Sequence, residues 1–131
     1  MAAIDFETLK LSRKPNQYLM APDGMCQNAK AKMTSKTYDV PVQTLHDGFM
    51  AVAKGQPRTA VIAERSDGET LVQKSRVFRF PDLIDVQFFH IADNQSTLAV
   101  YSRAKVGYRD FGVNEGRVKL WMKLLDDELA A

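Results

Sequence analysis

Apolar residues recur at helical spacing near the middle of the chain. Within residues 39–55, Pro41 suits the first turn of a helix and Gly55 suits its C-terminal cap. The apolar positions between them are Val42, Leu45, Phe49 and Val52. This spacing places them on one face and predicts an amphipathic helix over 39–55.

A second helix is predicted at the end of the chain. Asn114 is placed to cap its start. Its apolar stripe consists of Val118, Trp121, Met122, Leu125 and Leu129. Glu115, Lys119, Lys123 and Asp127 line the other side at four-residue spacing and form two favourable acid-base contacts, which is typical of a surface helix that packs one face on a core.

Four strands are predicted between the two helices. They cover residues 59–65, 70–80, 84–91 and 97–106, and Asp67-Gly68 is a strong two-residue hairpin signal.

The loop between the last two strands sets their register. A three-residue loop over 93–95 would place Asp85 opposite Arg103 and Gln87 opposite Tyr101. One face of this last pair would then carry Ile84, Val86, Phe88, Leu98 and Val100, and the other Asp85, Gln87, Tyr101, Arg103 and Lys105. A two-residue loop would mix these sets, so the three-residue loop is favoured.

These elements predict an α+β fold: a single four-stranded antiparallel sheet with two helices packed on one face, in the order helix, four strands, helix. Residues 1–131 form one domain, with an irregular N-terminal segment (1–38) and a helix-sheet-helix core (39–131). The other face of the sheet is solvated, covered by residues 1–38, or part of a ligand groove.

Composition narrows the functional classes. The net charge of +2 is small for a nucleic-acid module, so no nucleic-acid partner is expected. No apolar run reaches the length of a transmembrane helix, and the lone Cys26 gives no disulfide, so a cytoplasmic location is expected. His46, His90 and Cys26 lack metal-ligand spacing, and no cofactor or metal is expected. A Cys26 nucleophile would need one of these histidines beside it.

Residues 102–118 carry a recognisable pattern of small, polar and basic positions. The matching positions are Ser102, Gly107, Asp110, Gly112, Asn114 and Arg117. The pattern resembles the signature of a bacterial and plastid family of proteins of unknown function, number 1499 in the series of such domains. Residues 76–82 and 15–22 also resemble motifs of that family, and the resemblance covers roughly residues 14–129.

The chain departs from the family pattern at four positions. Ala104 stands where Ser is common, Lys105 where Arg is common, Arg109 where Ser is common, and Glu115 where a basic residue is common. A function that depends on a hydroxyl at position 104 or 109 is therefore not expected here. The resemblance implies no established activity.

The candidate site is the connection from the last strand to the last helix, around Gly107–Asn114. There Arg103, Lys105, Arg109 and Arg117 would contact a ligand, while Asp110 and Asn114 would fix the loop. The main hypothesis is a non-catalytic binding or accessory protein whose cationic pocket takes an anionic small molecule or a lipid head group. The structural alternative is a connection in which the glycines supply unusual backbone angles and the cations form ion pairs.

Two further functions stay open. One is an enzyme on an anionic or acyl substrate, with Asp110 as the acid-base group. The other is a protein-interaction module that uses the exposed face of the sheet. Nothing in the sequence specifies an oligomeric state.

Overall fold

A mixed sheet with two helices on one face forms the centre of the structure. The computed structural model describes residues 4–107 and 112–131. The elements in these residues are β1 (Gln17–Ala21), β2 (Met33–Thr34), α1 (Val42–Lys54), β3 (Thr59–Arg65), β4 (Gly68–Lys74), β5 (Pro81–Ala92), β6 (Gln95–Ala104) and α2 (Val113–Ala130). Across the part of the chain described, the sheet has six strands in the order β2-β1-β6-β5-β4-β3.

The predicted single four-stranded antiparallel sheet is wrong, because residues 1–38, predicted to be irregular, contribute two more strands. β1 pairs antiparallel with β6 and parallel with β2, so the sheet is mixed. Tyr18 and Met20 join the core on the helix side, while Leu19 and Ala21 join a second cluster on the other side. Because both faces of β1 are buried, it lacks the polar alternation of a half-exposed strand. The broader α+β class holds.

The two helices pack on one face of the sheet, as their apolar stripes predicted. Trp121 is only 2% exposed and contacts Phe49 edge to face, with ring centroids 5.9 Å apart. Leu98 and Val100 of β6 are buried beneath the helices. This cluster is the main hydrophobic core of the described chain, and burying each large side chain in it contributes about 1.5–3 kcal/mol.

The predicted register of β5 and β6 is off by two residues. Asp85 lies opposite Tyr101 rather than Arg103, because a two-residue turn joins Ala92 to Gln95. An irregularity between His90 and Ala92 shifts the pairing by one further residue. The two shifts add up to two residues, and side chains alternate with a period of two, so each residue of β5 and β6 still lies on its predicted face. The predicted separation of apolar and polar faces is therefore present although the register is wrong.

The face of the sheet opposite the helices is covered by the N-terminal segment. Phe6 is 1% exposed and packs with Leu19, Ala99 and Tyr101. Partly buried apolar residues between positions 4 and 31, together with Phe89 of β5, complete this second cluster. Of the three states expected for this face, coverage by residues 1–38 is the one found over its apolar part.

Arg117 ties the start of α2 to three strands. Its Nη2 lies 2.8 Å from Asp82 Oδ2, and its Nη1 donates to Ser102 Oγ at 3.0 Å and to Asn114 Oδ1 at 2.8 Å. Its Nε donates to Gln73 Oε1 at 2.5 Å. The side chain is only 8% exposed, so these contacts offset the cost of burying a guanidinium.

Asn114 is not the helix cap predicted from the sequence. α2 begins at Val113, and its N-cap is Gly112, with a φ of 83° and no side-chain cap hydrogen bond. Asn114 is fully buried instead, and its Nδ2 donates to the backbone carbonyl of Asn16 at 3.1 Å. The residue therefore joins α2 to the segment that leads into β1.

Within residues 4–107 and 112–131, no helix combines the length and the apolar content needed to cross a bilayer.

Replacing Arg117 with Ala should lower the free energy of unfolding by about 3 kcal/mol, because it removes a buried ion pair and three hydrogen bonds. Urea titration followed by circular dichroism measures the change. Lys119→Ala is the matched control, since it removes an exposed pair with Glu115 on the same helix and should change little. Equal stability of the two variants would contradict a structural role for Arg117.

Replacing Gly68 with Ala should also destabilise the fold. A Cβ at this position would lie 2.3 Å from the Val86 carbonyl oxygen of β5, so backbone must move at a cost of about 1–3 kcal/mol. At Gly116 in α2 a Cβ meets nothing within 4 Å, and Gly116→Ala should stabilise by about 0.5–1 kcal/mol. Thermal unfolding of both variants checks the opposite signs, and shifts in the same direction would contradict the close approach.

Candidate ligand-binding cleft

The predicted site residues do not meet in one pocket within the described part of the chain. Arg103 extends from the face of the sheet that lies away from the helices, whereas Arg117 and Asn114 lie on the helix side. The sheet therefore separates Arg103 from Arg117. Arg109 and Asp110 lie outside the described residues.

Arg103 forms an ion pair with a buried carboxylate. Its Nη1 lies 2.8 Å from Asp85 Oδ2, in an orientation that does not align as a hydrogen bond, and its guanidinium lies 4.7 Å from the centre of the Tyr101 ring. Asp85 is fully buried, and its Oδ1 accepts a hydrogen bond from Thr70 Oγ1 at 2.5 Å. Arg103 thus neutralises a charge that would be costly to bury alone. The predicted Asp85–Arg103 pair is present, although the two residues are not directly opposite.

Lys105 lies just beyond the end of β6 and is exposed, and its backbone N–H donates to the Pro81 carbonyl at 3.1 Å. Arg103 and Arg117 already pair with carboxylates. Ligand binding by the six sequence-derived residues stays a prediction.

A cleft of about 540 Å³ opens at another corner of the molecule, between the first turns of α1, the β3–β4 turn and the end of β5. Its volume lies within the range typical of small-molecule sites. Val42 and Phe88 give it apolar walls, and the acidic residues that line it are Glu64, Asp67 and Glu69.

His46 lies in this cleft between two carboxylates. Its Nδ1 lies 3.0 Å from Asp47 Oδ1, and its Nε2 lies 3.1 Å from Glu69 Oε1. The imidazole meets the Phe88 ring edge to face, with centroids 5.0 Å apart, and the His46 side chain is 31% exposed. The residue is held in one orientation and still reaches the solvent in the cleft.

Glu69 is a buried carboxylate on the wall of the cleft. Its side chain is 7% exposed, and one oxygen, Oε1, pairs with His46. The other oxygen, Oε2, is buried and has no hydrogen-bond partner within the described structure. Glu64 lies directly opposite it in the β3–β4 ladder, where like charges destabilise each other. The Glu69 carboxylate therefore has one oxygen without a hydrogen-bond partner in the described structure and lies opposite a second carboxylate, that of Glu64.

Arg65 also lines the cleft, but its guanidinium is engaged elsewhere. Nη1 donates to Thr70 Oγ1 at 3.0 Å, and Nη2 lies 3.8 Å from Asp85 Oδ1. Among the described residues, the lining holds three carboxylates, one arginine and two histidines. Carboxylates therefore outnumber permanently charged cations in the lining of the cleft.

Both carboxylates favour the charged form of His46. Partial burial lowers its pKa, but the hydrogen bonds to Asp47 and Glu69 and their negative charges outweigh burial, so the pKa lies above the ordinary 6.5. Carboxylates only accept hydrogen bonds, so only the imidazolium can donate to both at once. The hydrogen bonds from His46 and Gln43 hold the pKa of Asp47 below its ordinary value.

In the sequence, His46 is a candidate only as a metal ligand or a partner for Cys26, and Glu69 is not a candidate at all. The available signal was the position of Glu69 two residues before Leu71, which places a carboxylate on the core-facing side of β4. An acidic residue in that register requires a partner or a function. His46 supplies the partner only in the folded chain.

Neither a metal site nor a cysteine nucleophile is assembled in the residues that the structure describes. No three His, Cys, Asp or Glu side chains among them are grouped to hold a metal ion. Burial raises the pKa of Cys26, which packs against the cluster on the face away from the helices, whereas His46 lies on α1.

Comparison with solved structures finds distant similarity. One match is the crystal structure of Ara h 8.0201, with 11% sequence identity and a TM-score of 0.44, covering 74% of this chain and 95% of that one. Another is the crystal structure of TTHA0849 from Thermus thermophilus, with 11% identity and a TM-score of 0.36, covering 73% of this chain and 94% of that one. No curated protein matches the chain.

The comparison with protein families gives a direct assignment. The model described as "Protein of unknown function (DUF1499)" matches residues 9–125, which is most of the 131-residue chain. The resemblance stated from residues 102–118 is thereby confirmed. The chain belongs to the DUF1499 family of proteins of unknown function.

Proposed function

We propose that this protein binds a small molecule with an ammonium group and an apolar body in the cleft beside His46. The observation that carries the proposal is the buried carboxylate of Glu69, whose Oε2 has no hydrogen-bond partner in the described structure. Because Oε2 is itself buried, the Glu69 carboxylate would have to turn toward the cleft to accept a hydrogen bond from a ligand N–H⁺ donor. A charged hydrogen bond of this kind contributes about 1.5–3 kcal/mol.

The rest of the lining supports the same ligand chemistry. Glu64 and Asp67 add negative charge, and the nearest arginine, Arg65, is occupied on the other face of the sheet. Val42 and Phe88 offer an apolar surface for the body of the ligand. A cleft with a few convergent polar groups on apolar walls is the usual form of a small-molecule site.

The anionic ligand proposed for the connection between β6 and α2, a small molecule or a lipid head group, has weaker support. It would have to compete with Asp85 for Arg103 and with Asp82 for Arg117. The enzyme alternative rests on Asp110, outside the described residues. The interaction module would need a sheet face that the N-terminal segment largely covers. These alternatives, and the cytoplasmic location, stay predictions.

Phenethylamine is a suitable probe because it joins an ammonium group to one aromatic ring. Isothermal titration should show that it binds at least about tenfold more tightly than phenethyl alcohol, which lacks the charge, and than phenylpropionate, which reverses it. Glu69→Gln should remove this preference while keeping the shape of the cleft. The matched control, Glu115→Gln, alters an exposed carboxylate on α2 and should change nothing.

Tighter binding of phenylpropionate than of phenethylamine would contradict the proposal and favour the anionic alternative. Unchanged binding in Glu69→Gln would contradict the assignment of the carboxylate.

Binding of phenethylamine should strengthen as the pH rises from about 6 to about 8. Below the raised pKa of His46, the imidazolium pairs with Glu69 and competes with the probe; above it, the neutral ring can accept a hydrogen bond from the ammonium group. The free protein should change in the opposite sense. The stabilisation from His46 is fully present below its unfolded pKa and is lost as the pH rises through the folded pKa.

His46→Gln should abolish both pH effects while His90, at the rim of the cleft, remains. Titrations at several pH values, paired with thermal unfolding, measure them. A slope that persists in His46→Gln would assign the effect to another group.

A further inference from the structure

A second surface stands out at the opposite end of the sheet, in the connection between β4 and β5. Residues 75–80, here called the aromatic loop, expose Val77 by 75%, Phe78 by 74% and Phe80 by 52%. Large apolar side chains that are exposed together are typical of a surface that contacts another protein or a membrane.

The aromatic loop has a defined shape that keeps these side chains outward. The Ser75 N–H donates to the Phe80 carbonyl at 3.0 Å, and the Phe80 N–H donates to Ser75 Oγ at 2.9 Å. The rings of Phe78 and Phe80 stack with centroids 5.5 Å apart at an angle of 18°. Arg79, between them, has a φ of 59°, which is unfavourable for a residue with a side chain. The fold thus holds an apolar tip in place at a cost in backbone energy.

Basic residues surround this tip. Lys74, Arg76 and Arg79 belong to it or border it, and residues 70–81 contain no acid. Arg58 Nε donates to the Lys74 carbonyl at 2.9 Å, which adds another cation. Lys105 is a fifth basic residue near the tip, because its backbone N–H donates to the carbonyl of Pro81, the residue that follows the aromatic loop. The half-exposed Val106 is next to it in the chain.

We propose that the aromatic loop docks this protein on the surface of an anionic lipid bilayer. Val77, Phe78 and Phe80 would enter the interfacial region, where aromatic side chains are favoured. The surrounding cations would contact the acidic head groups, each contributing to binding by charge attraction. Apolar insertion and basic attraction together are the combination that peripheral membrane attachment requires.

The geometry favours a bilayer over a nucleic acid. Single-stranded nucleic acids bind by stacking their bases on open aromatic faces. Phe78 and Phe80 already cover one face of each other, and Val77, the most exposed of the three, offers no ring to stack on. Insertion into lipid uses all three side chains.

The test is co-sedimentation with vesicles of phosphatidylcholine and phosphatidylserine. The full chain should bind them at low salt, bind at least about tenfold less to pure phosphatidylcholine, and weaken as salt is added. The double variant Phe78→Ser/Phe80→Ser, and separately Lys74→Gln/Arg76→Gln, should each weaken binding by at least about tenfold.

Ile91→Ser is the matched control, because Ile91 is also half-exposed, at 47%, but lies at the far end of β5 near the β5–β6 turn. It should bind like the unaltered chain. Loss of binding in Ile91→Ser to the same degree, or no sedimentation of the unaltered chain, would overturn the proposal. So would tight binding to oligouridylate without binding to vesicles.

A fluorescence readout serves even if the serine variants lose stability. Phe78→Trp places an indole on the tip, and the native Trp121 is buried at 2% exposure. Brominated phosphatidylserine vesicles should quench the introduced indole and leave the emission of the unaltered chain intact. Absence of quenching in Phe78→Trp would overturn the insertion.

Discussion

The burial of both faces of β6 is the constraint on which the rest of the structure depends. Val100 lies under the two helices, and Tyr101, the next residue, lies under the N-terminal segment. A strand covered on both sides needs a paired neighbour on each edge and a partner for every polar group. The pairing with β1 meets the first demand and recruits residues 17–21 into the sheet.

The need for a partner for each buried polar group explains the positions of Arg103 and Arg117. Asp85 is buried on one face and takes Arg103, while Asp82 on the other face takes Arg117. Each arginine lies where an otherwise uncompensated carboxylate would destabilise the fold. Arg103 and Arg117, which the sequence predicted to share one ligand site, therefore each stabilise a different carboxylate on opposite faces of the sheet.

At the corner beside the β3–β4 turn, the same demand is left partly unmet. Glu69 faces the helix side of β4 like Leu71, yet it meets the cleft wall and His46 instead of a closed core. The aromatic loop lies at the other end of the same strand, where apolar side chains are exposed to solvent. β4 therefore links two candidate functional surfaces of different chemistry.

The sequence by itself determined the elements whose pattern has one buried face. Both helices and the two faces of β5 and β6 follow from periodicity, because each of these elements buries one apolar face. The β3–β4 hairpin follows from the turn signal at Asp67-Gly68, although the turn residues are Ser66 and Asp67 and Gly68 already pairs with Arg65. Tertiary structure alone decided which strands pair and which charges meet. β1 is apolar on both sides and gives no period, and a bulge near Ile91 set the register. His46 and Glu69 are 23 residues apart, and only the packing of α1 on the sheet brings a carboxylate to the imidazole.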